Sequence, residues 1–297
     1  MLKILIKSFH QIYQKPKLVL LLYAVGFILA MLVARPFYVT FLNEANTSVA
    51  LDKLIADFDF MIFTDFFHQS QKAFRPFVPL VFVLGLVYLL LNTFFAGGTL
   101  DATEQDKFKF PRFFEASAQH FGRFAMLLVF LFIFLMVLVS LAGMFFFIFA
   151  AIAEGGSEKD YILWMIPPVL ILVYFIGFVV IMGDYGRVML FKSTTLSPYS
   201  AFWKAFSYIF KRPTTIALFW LIIVLGIILS VVYLSIDSLI GMHSGLTIFL
   251  MFLVQQVFVF GRTFLKISTQ IAAKNYFETR PIELEKVIVV AETAEEN

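Results

Sequence analysis

The sequence predicts an all-α, polytopic membrane protein with six transmembrane helices, built as three parallel helical-hairpin repeats, each preceded by a cytoplasmic amphipathic helix. Three observations carry that prediction. Six stretches lack charge for long enough to cross a hydrocarbon core, which takes about 20 helical residues. One heptad-like stripe occurs three times, each time before a long apolar segment. Eighteen of the 23 Lys and Arg residues fall on one side of the six spans, a positive-inside bias that predicts both termini in the cytoplasm of a bacterial cell. Composition agrees: 61% of the residues are hydrophobic and 14% charged, where soluble domains are roughly a quarter charged. A multi-pass protein of the cytoplasmic (inner) membrane is therefore expected.

The first element is the stripe Leu2, Leu5, Ile6, Phe9, Ile12 and Tyr13, whose steps of three and four place it on one face of a helix. Pro16 then suits the first turn of the next helix, where a missing amide hydrogen costs little, and it disfavours helical geometry just before itself. The chain is expected to bend there from lying on the membrane to crossing it. The first span runs from Leu18 to Ala34. Arg35 and Pro36 follow where a signal-peptide cleavage site would need small residues, so this span is expected to stay as an anchor.

An external loop over 36–76 comes next. Within it Leu51, Leu54, Ile55, Phe58, Ile62 and Phe66 share a helical face opposite Asp52, Asp59 and Asp65, as in a helix resting on the outer leaflet. The second span covers Phe77 to Ala96 and ends at Gly97-Gly98. The stripe returns as Phe110, Phe113, Phe114, Ser117, His120 and Phe121, ahead of spans from Phe124 to Ala153 and Tyr161 to Gly183; here Phe124 replaces the proline, which weakens the expected bend. The third copy is Tyr199, Phe202, Trp203, Phe206, Ile209 and Phe210, with Ser197-Pro198 as cap and first-turn proline and Pro213 at the bend. Spans from Thr214 to Ile236 and Ser244 to Gly261 complete the set, and the last helix should continue to about Phe277 before Pro281 stops it. The domain reading is one six-span membrane domain over 1–280, with repeats at about 1–100, 108–187 and 197–264, and an acidic cytoplasmic tail over 281–297.

The chemistry-bearing residues point away from catalysis. The chain has no cysteine, which removes disulfides and thiolate sites. His10, His68, His120 and His243 lack metal-ligand spacing, and Gly97-Gly98 and Gly155-Gly156 lack the Lys-Ser/Thr of a phosphate loop. No catalytic set, metal or cofactor is expected.

Three groups of polar residues remain. Lys15, Lys17, Arg123, Lys211 and Arg212 sit at the bends, where anionic headgroups would meet them. Asn92, Gln255 and Gln256 lie at membrane depth, where a polar group costs free energy unless it is paired or wetted; they are the candidates for a polar path or for interhelical hydrogen bonds. Asp101, Asp184, Arg187 and Arg262 stand at the cytoplasmic ends of the even-numbered spans and are expected to converge into a charged cluster. The partners this predicts are the phospholipid bilayer, anionic lipids and a membrane protein, and not nucleic acid.

Gly97-Gly98, Phe113-Phe114, Arg123-Phe124, Gly183-Asp184-Tyr185-Gly186-Arg187 and Lys211-Arg212-Pro213 together resemble an uncharacterised bacterial family of six-span membrane proteins. That family is similar to the membrane domain of some glycerophosphoryl diester phosphodiesterases, over most of residues 1–280. The catalytic barrel of those enzymes has no counterpart in this sequence, so the resemblance implies a non-enzymatic membrane module working near lipid. The alternative reading is a carrier for a lipid or small polar solute through Asn92, Gln255 and Gln256.

Overall fold

The computed structural model describes residues 1–45, 59–240 and 244–284. Among them are ten α-helices and no strand: α1 (Leu2–Tyr13), α2 (Pro16–Ala45), α3 (Phe60–Gln69), α4 (Gln71–Phe74), α5 (Phe77–Ala102), α6 (Phe110–Ala153), α7 (Glu158–Lys192), α8 (Pro198–Phe210), α9 (Thr214–Ile240) and α10 (Gly245–Thr279). Six segments are long and apolar enough to cross a membrane: α2, the run Gln71–Ala102, α6, α7, α9 and α10. This is a multi-pass membrane protein. The chain divides into two compact units, one of Met1–Val19 with Thr93–Asn297, the other of Leu20–Asn92.

In the smaller unit the first span does not stop at Pro36. α2 runs through that proline to Ala45, so residues 36–45 are helix and not loop. A proline inside a helix forfeits one backbone hydrogen bond, and the gain on the far side is aromatic. The Phe37 ring lies tilted at 5.3 Å from Phe74 and edge-on at 5.5 Å from Phe77, and Phe41 meets Phe66 edge-on at 5.4 Å. Of the expected outer helix, residues 51–58 lie outside the described residues, as do 285–297 of the acidic tail. Its second half is α3, where Asp59 caps the helix by accepting from the Met61 and Ile62 amides at 2.8 and 3.3 Å. Phe66 is buried against the aromatic group.

In the larger unit the stripes lead to different local structures. α1 ends at Tyr13, and Pro16 starts α2 after two non-helical residues, Gln14 and Lys15. α8 ends at Phe210, and three residues including Pro213 separate it from α9. At Phe124 nothing breaks the hydrogen-bond ladder, so the second stripe and the third span form one 44-residue helix, α6. The separate surface helix expected there is absent because the proline is absent. The return from α6 to α7 turns on Gly155 at φ +83, followed by a capping box in which Ser157 and Asp160 satisfy each other's backbone amides.

α6 packs along α7, and α9 along α10; α8 lies on α7 and α6, and α1 on α10. The apolar core sits toward one end of this unit. It gathers Leu5 of α1, Leu100 of α5, Phe124 and Leu127 of α6, Met182, Tyr185 and Met189 of α7, Phe202 and Ile209 of α8, and Tyr276 and Phe277 of α10. Away from that end the helices expose large apolar side chains, among them Phe147, Ile228 and Val257, as expected of surface meeting lipid. The end of α5 meets α6 at backbone distance. A Cβ added to Gly98 would stand 2.5 Å from the Phe113 carbonyl oxygen and 2.5 Å from Ser117 Oγ, and the Gly98 amide donates to that hydroxyl at 3.2 Å.

Candidate functional site

The C-terminal ends of α5, α7 and α10 converge, as the sequence leads one to expect of the even-numbered spans, but other residues join them. Lys274 of α10 lies 3.0 Å from Glu104, which follows α5; Lys192 at the end of α7 lies 2.8 Å from Glu104 and 2.9 Å from Glu278. Lys274 is buried, donates to Thr103 Oγ1 at 2.6 Å and to the Leu100 carbonyl at 3.2 Å, and stands over the Phe191 ring. Two ammonium and two carboxylate groups thus close a network with no net charge. Burial alone would raise the Glu104 carboxyl, but the hydrogen bonds from Lys192 and Lys274 outweigh it and hold Glu104 below the usual carboxylate range. Beside this network Asn275 donates to Ser8 Oγ at 2.8 Å and Gln11 Oε1 at 2.9 Å, tying α10 to α1.

Of the expected charged cluster, Asp101 receives two hydrogen bonds from Arg112, at 3.1 and 3.2 Å, and one from Gln105. Asp184 pairs with Arg187 one turn away, at 3.6 Å, while Arg262 stands over the Phe258 ring. Each is engaged separately, so the expected convergence of these four is corrected to Glu104, Lys192, Lys274 and Glu278. The sequence signal for Lys274 is its place on a helical face whose other members, Ile267, Ile271 and Phe277, are apolar. A lysine on such a face needs a carboxylate, and the sequence does not say which.

Three of the five expected headgroup residues are engaged by backbone carbonyls of the protein. Lys15 is 6% exposed and donates to the carbonyls of Ala102 and of Gln105, the latter at 2.6 Å, closing the end of α5. Burial, with Lys274 nearby, lowers its pKa from the ordinary lysine value. Arg123 donates to the carbonyls of Leu190, Ser193 and Leu196 at 3.0, 2.7 and 2.6 Å, closing the end of α7. Arg212 lies 4.4 Å above the Tyr208 ring and donates to the Arg280 carbonyl beyond α10. Each cation meets the negative end of a helix dipole and satisfies carbonyls that the helix itself cannot. Lys17 and Lys211 remain exposed.

Asn92 donates to the Tyr88 carbonyl of its own helix at 2.7 Å. Gln255 is exposed and Gln256 half-buried on α10, and neither lines the apolar groove that opens farther along α10. That groove, of about 520 Å³, opens between α7, α9 and α10; its walls are apolar, with Arg262, Lys266 and Thr269 among its lining. Among the described residues no group of three His, Asp or Glu side chains is placed to hold a metal ion. Compared with family models, with curated proteins and with solved structures, the chain finds no match in any of the three.

Proposed function

We propose that this chain is a non-enzymatic protein of the bacterial inner membrane, with both termini in the cytoplasm, that interacts with phospholipid or a membrane partner through interfacial helices. The reading that it consists of three parallel hairpin repeats draws support from burial. Leu5, Ser8 and Ile12 are buried, and so are the residues 108 positions on, Phe113, Ala116 and His120, and 197 positions on, Phe202, Ala205 and Ile209. The same two steps carry Lys15 to Arg123 and Arg212, three cations that each close the end of a helix.

The observation that carries the functional reading is the opposite edge of the stripe. Leu2, Ile6 and Tyr13 are exposed on α1, and Tyr199, Trp203 and Phe210 are exposed on α8, at the same offsets. A helix that buries one apolar edge in protein and offers a second, aromatic one beside lysines has the make-up of an interfacial helix. With Lys15 and Arg212 engaged by backbone carbonyls, headgroup contact falls to the exposed Lys3, Lys7, Lys17 and Lys211. The resemblance to phosphodiesterase membrane domains fits a module that stays near lipid without hydrolysing it. The carrier alternative draws no support from the groove between α7, α9 and α10, whose lining includes none of Asn92, Gln255 and Gln256.

Replacing Lys3, Lys7, Lys17 and Lys211 together by glutamate is expected to cut the anionic phospholipid that co-purifies with the protein several-fold, at unchanged helicity. Lipid mass spectrometry reads the effect, and undiminished retention would overturn the proposal.

A further inference from the structure

A small cavity of about 10 Å³ lies between α7, α9 and α10, next to the apolar groove and sharing Thr269 with it. We propose that it holds one water molecule, which accepts from the Tyr185 hydroxyl and donates to the Asp184 carboxylate and to a threonine hydroxyl. The proposal is independent of what α1 and α8 bind.

Tyr185 is 2% exposed and packs with Tyr208 and Tyr276, its ring centroid at 5.3 and 6.3 Å from theirs. Tyr208 donates to the Arg280 carbonyl at 3.0 Å, and Tyr276 shares a hydrogen bond of 2.5 Å with the Thr214 hydroxyl. Of these three hydroxyls, that of Tyr185 alone has no hydrogen-bond partner among the described residues. Taking a hydroxyl out of water costs free energy unless it is hydrogen-bonded, and where the protein offers no partner an ordered water is the usual one.

Tyr185 belongs to the wall of the cavity, whose other polar members are Asp184, Thr215 and Thr269; Ala272 and Ala273 are among the small apolar residues that leave the space. Thr215 spends its proton on the Arg212 carbonyl and Thr269 on that of Lys266, both at 2.8 Å, so each has only lone pairs left to offer. Asp184 stands 3.6 Å from Arg187, too far for a direct hydrogen bond, so the ion pair leaves the carboxylate room to accept.

The lining therefore brings one donor without an acceptor and three acceptors without a further proton. Water matches that set, with a lone pair for the tyrosine and two protons for the acceptors, and about three bonds are what a buried water makes. The size agrees, since about 10 Å³ is room for a single water. A monovalent cation would also find oxygen atoms there, but Arg187 and Lys266 already place positive charge beside Asp184. The water joins α7 to both α9 and α10 and keeps a carboxylate solvated within a spanning helix.

The test is a structure of the full chain at a resolution where ordered water is visible, with thermal unfolding alongside. A density peak within about 3.2 Å of both Tyr185 Oη and an Asp184 carboxylate oxygen is expected in the parent and should be lost in Tyr185→Phe. Tyr185→Phe should also lower Tm by a few degrees, because it removes a satisfied hydrogen bond; removing a hydroxyl without a partner would leave Tm unchanged or raise it. Replacing sodium by choline at equal concentration should leave the parent's Tm where it was. An empty cavity in a map that shows other buried waters overturns the proposal, as does a peak that Tyr185→Phe leaves in place, or a Tm that holds or rises in that variant. A sodium-dependent gain in Tm that Tyr185→Phe abolishes would assign the cavity to a cation and overturn it too. Lipid retention by the four-lysine variant bears on none of these readouts, so the two proposals fail separately.

Discussion

Lys15 is read from its neighbours as a headgroup cation, lying between a surface helix and a proline, yet it is 6% exposed and spends its donors on carbonyls of residues 102 and 105. Nothing local in sequence could reveal those acceptors, 87 and 90 positions away. Removing the ammonium while keeping the stem isolates its role. Lys15→Met leaves carbonyls at the end of α5 without a donor in a buried setting and should cost about 1–3 kcal/mol, seen as a lower Tm in detergent. Lys17→Met, on an exposed side chain two positions on, should be within about 0.5 kcal/mol of neutral in the same assay. Glu104, Lys192, Lys274 and Glu278 were illegible for the same reason, since a sequence shows charges but not which distant helix end each one meets.

At the scale of elements, span existence was the most legible feature, because a window of about 20 uncharged residues is a purely local property. Breaks were legible where proline makes them, at Pro16 and Pro213, and the smooth passage through Phe124 follows from the same rule applied in reverse. Pro36 departs from it: aromatic packing by Phe37 and Phe41 carries α2 past a residue that normally ends a helix. Glycines test the reading of α5 and α6. Gly122 of α6 has nothing within 4 Å of an added Cβ, so Gly122→Ala should gain up to about 1 kcal/mol from helix propensity, whereas Gly122→Pro should cost about 3 kcal/mol or more by breaking a continuous helix. Gly98→Ala, whose Cβ would collide with the Phe113 carbonyl, should cost at least as much as a typical overpacked core site, about 1–3 kcal/mol. Thermal unfolding of the three variants in one detergent checks the ordering.

For the whole molecule, the uneven distribution of Lys and Arg makes a prediction about orientation that the absence of native cysteine renders easy to examine. Single cysteines at Lys3, Lys107 or Lys211 should react with an impermeant maleimide only in inverted membrane vesicles, and cysteines at Arg75 or Ser157 only in intact cells. Any reversal of that pattern would place the termini outside. The three cations bound to backbone carbonyls also set an order in time. Lys15 must wait for residues 102 to 105, Arg123 for 190 to 196, and Arg212 for 280, so each has to stay solvated until a stretch of 67 to 90 later residues has been made. At about 5–20 residues per second that is a delay of roughly 3 to 18 seconds during synthesis. The three contacts can therefore form one after another as the ribosome delivers their partners, the first two before the last helix has been made.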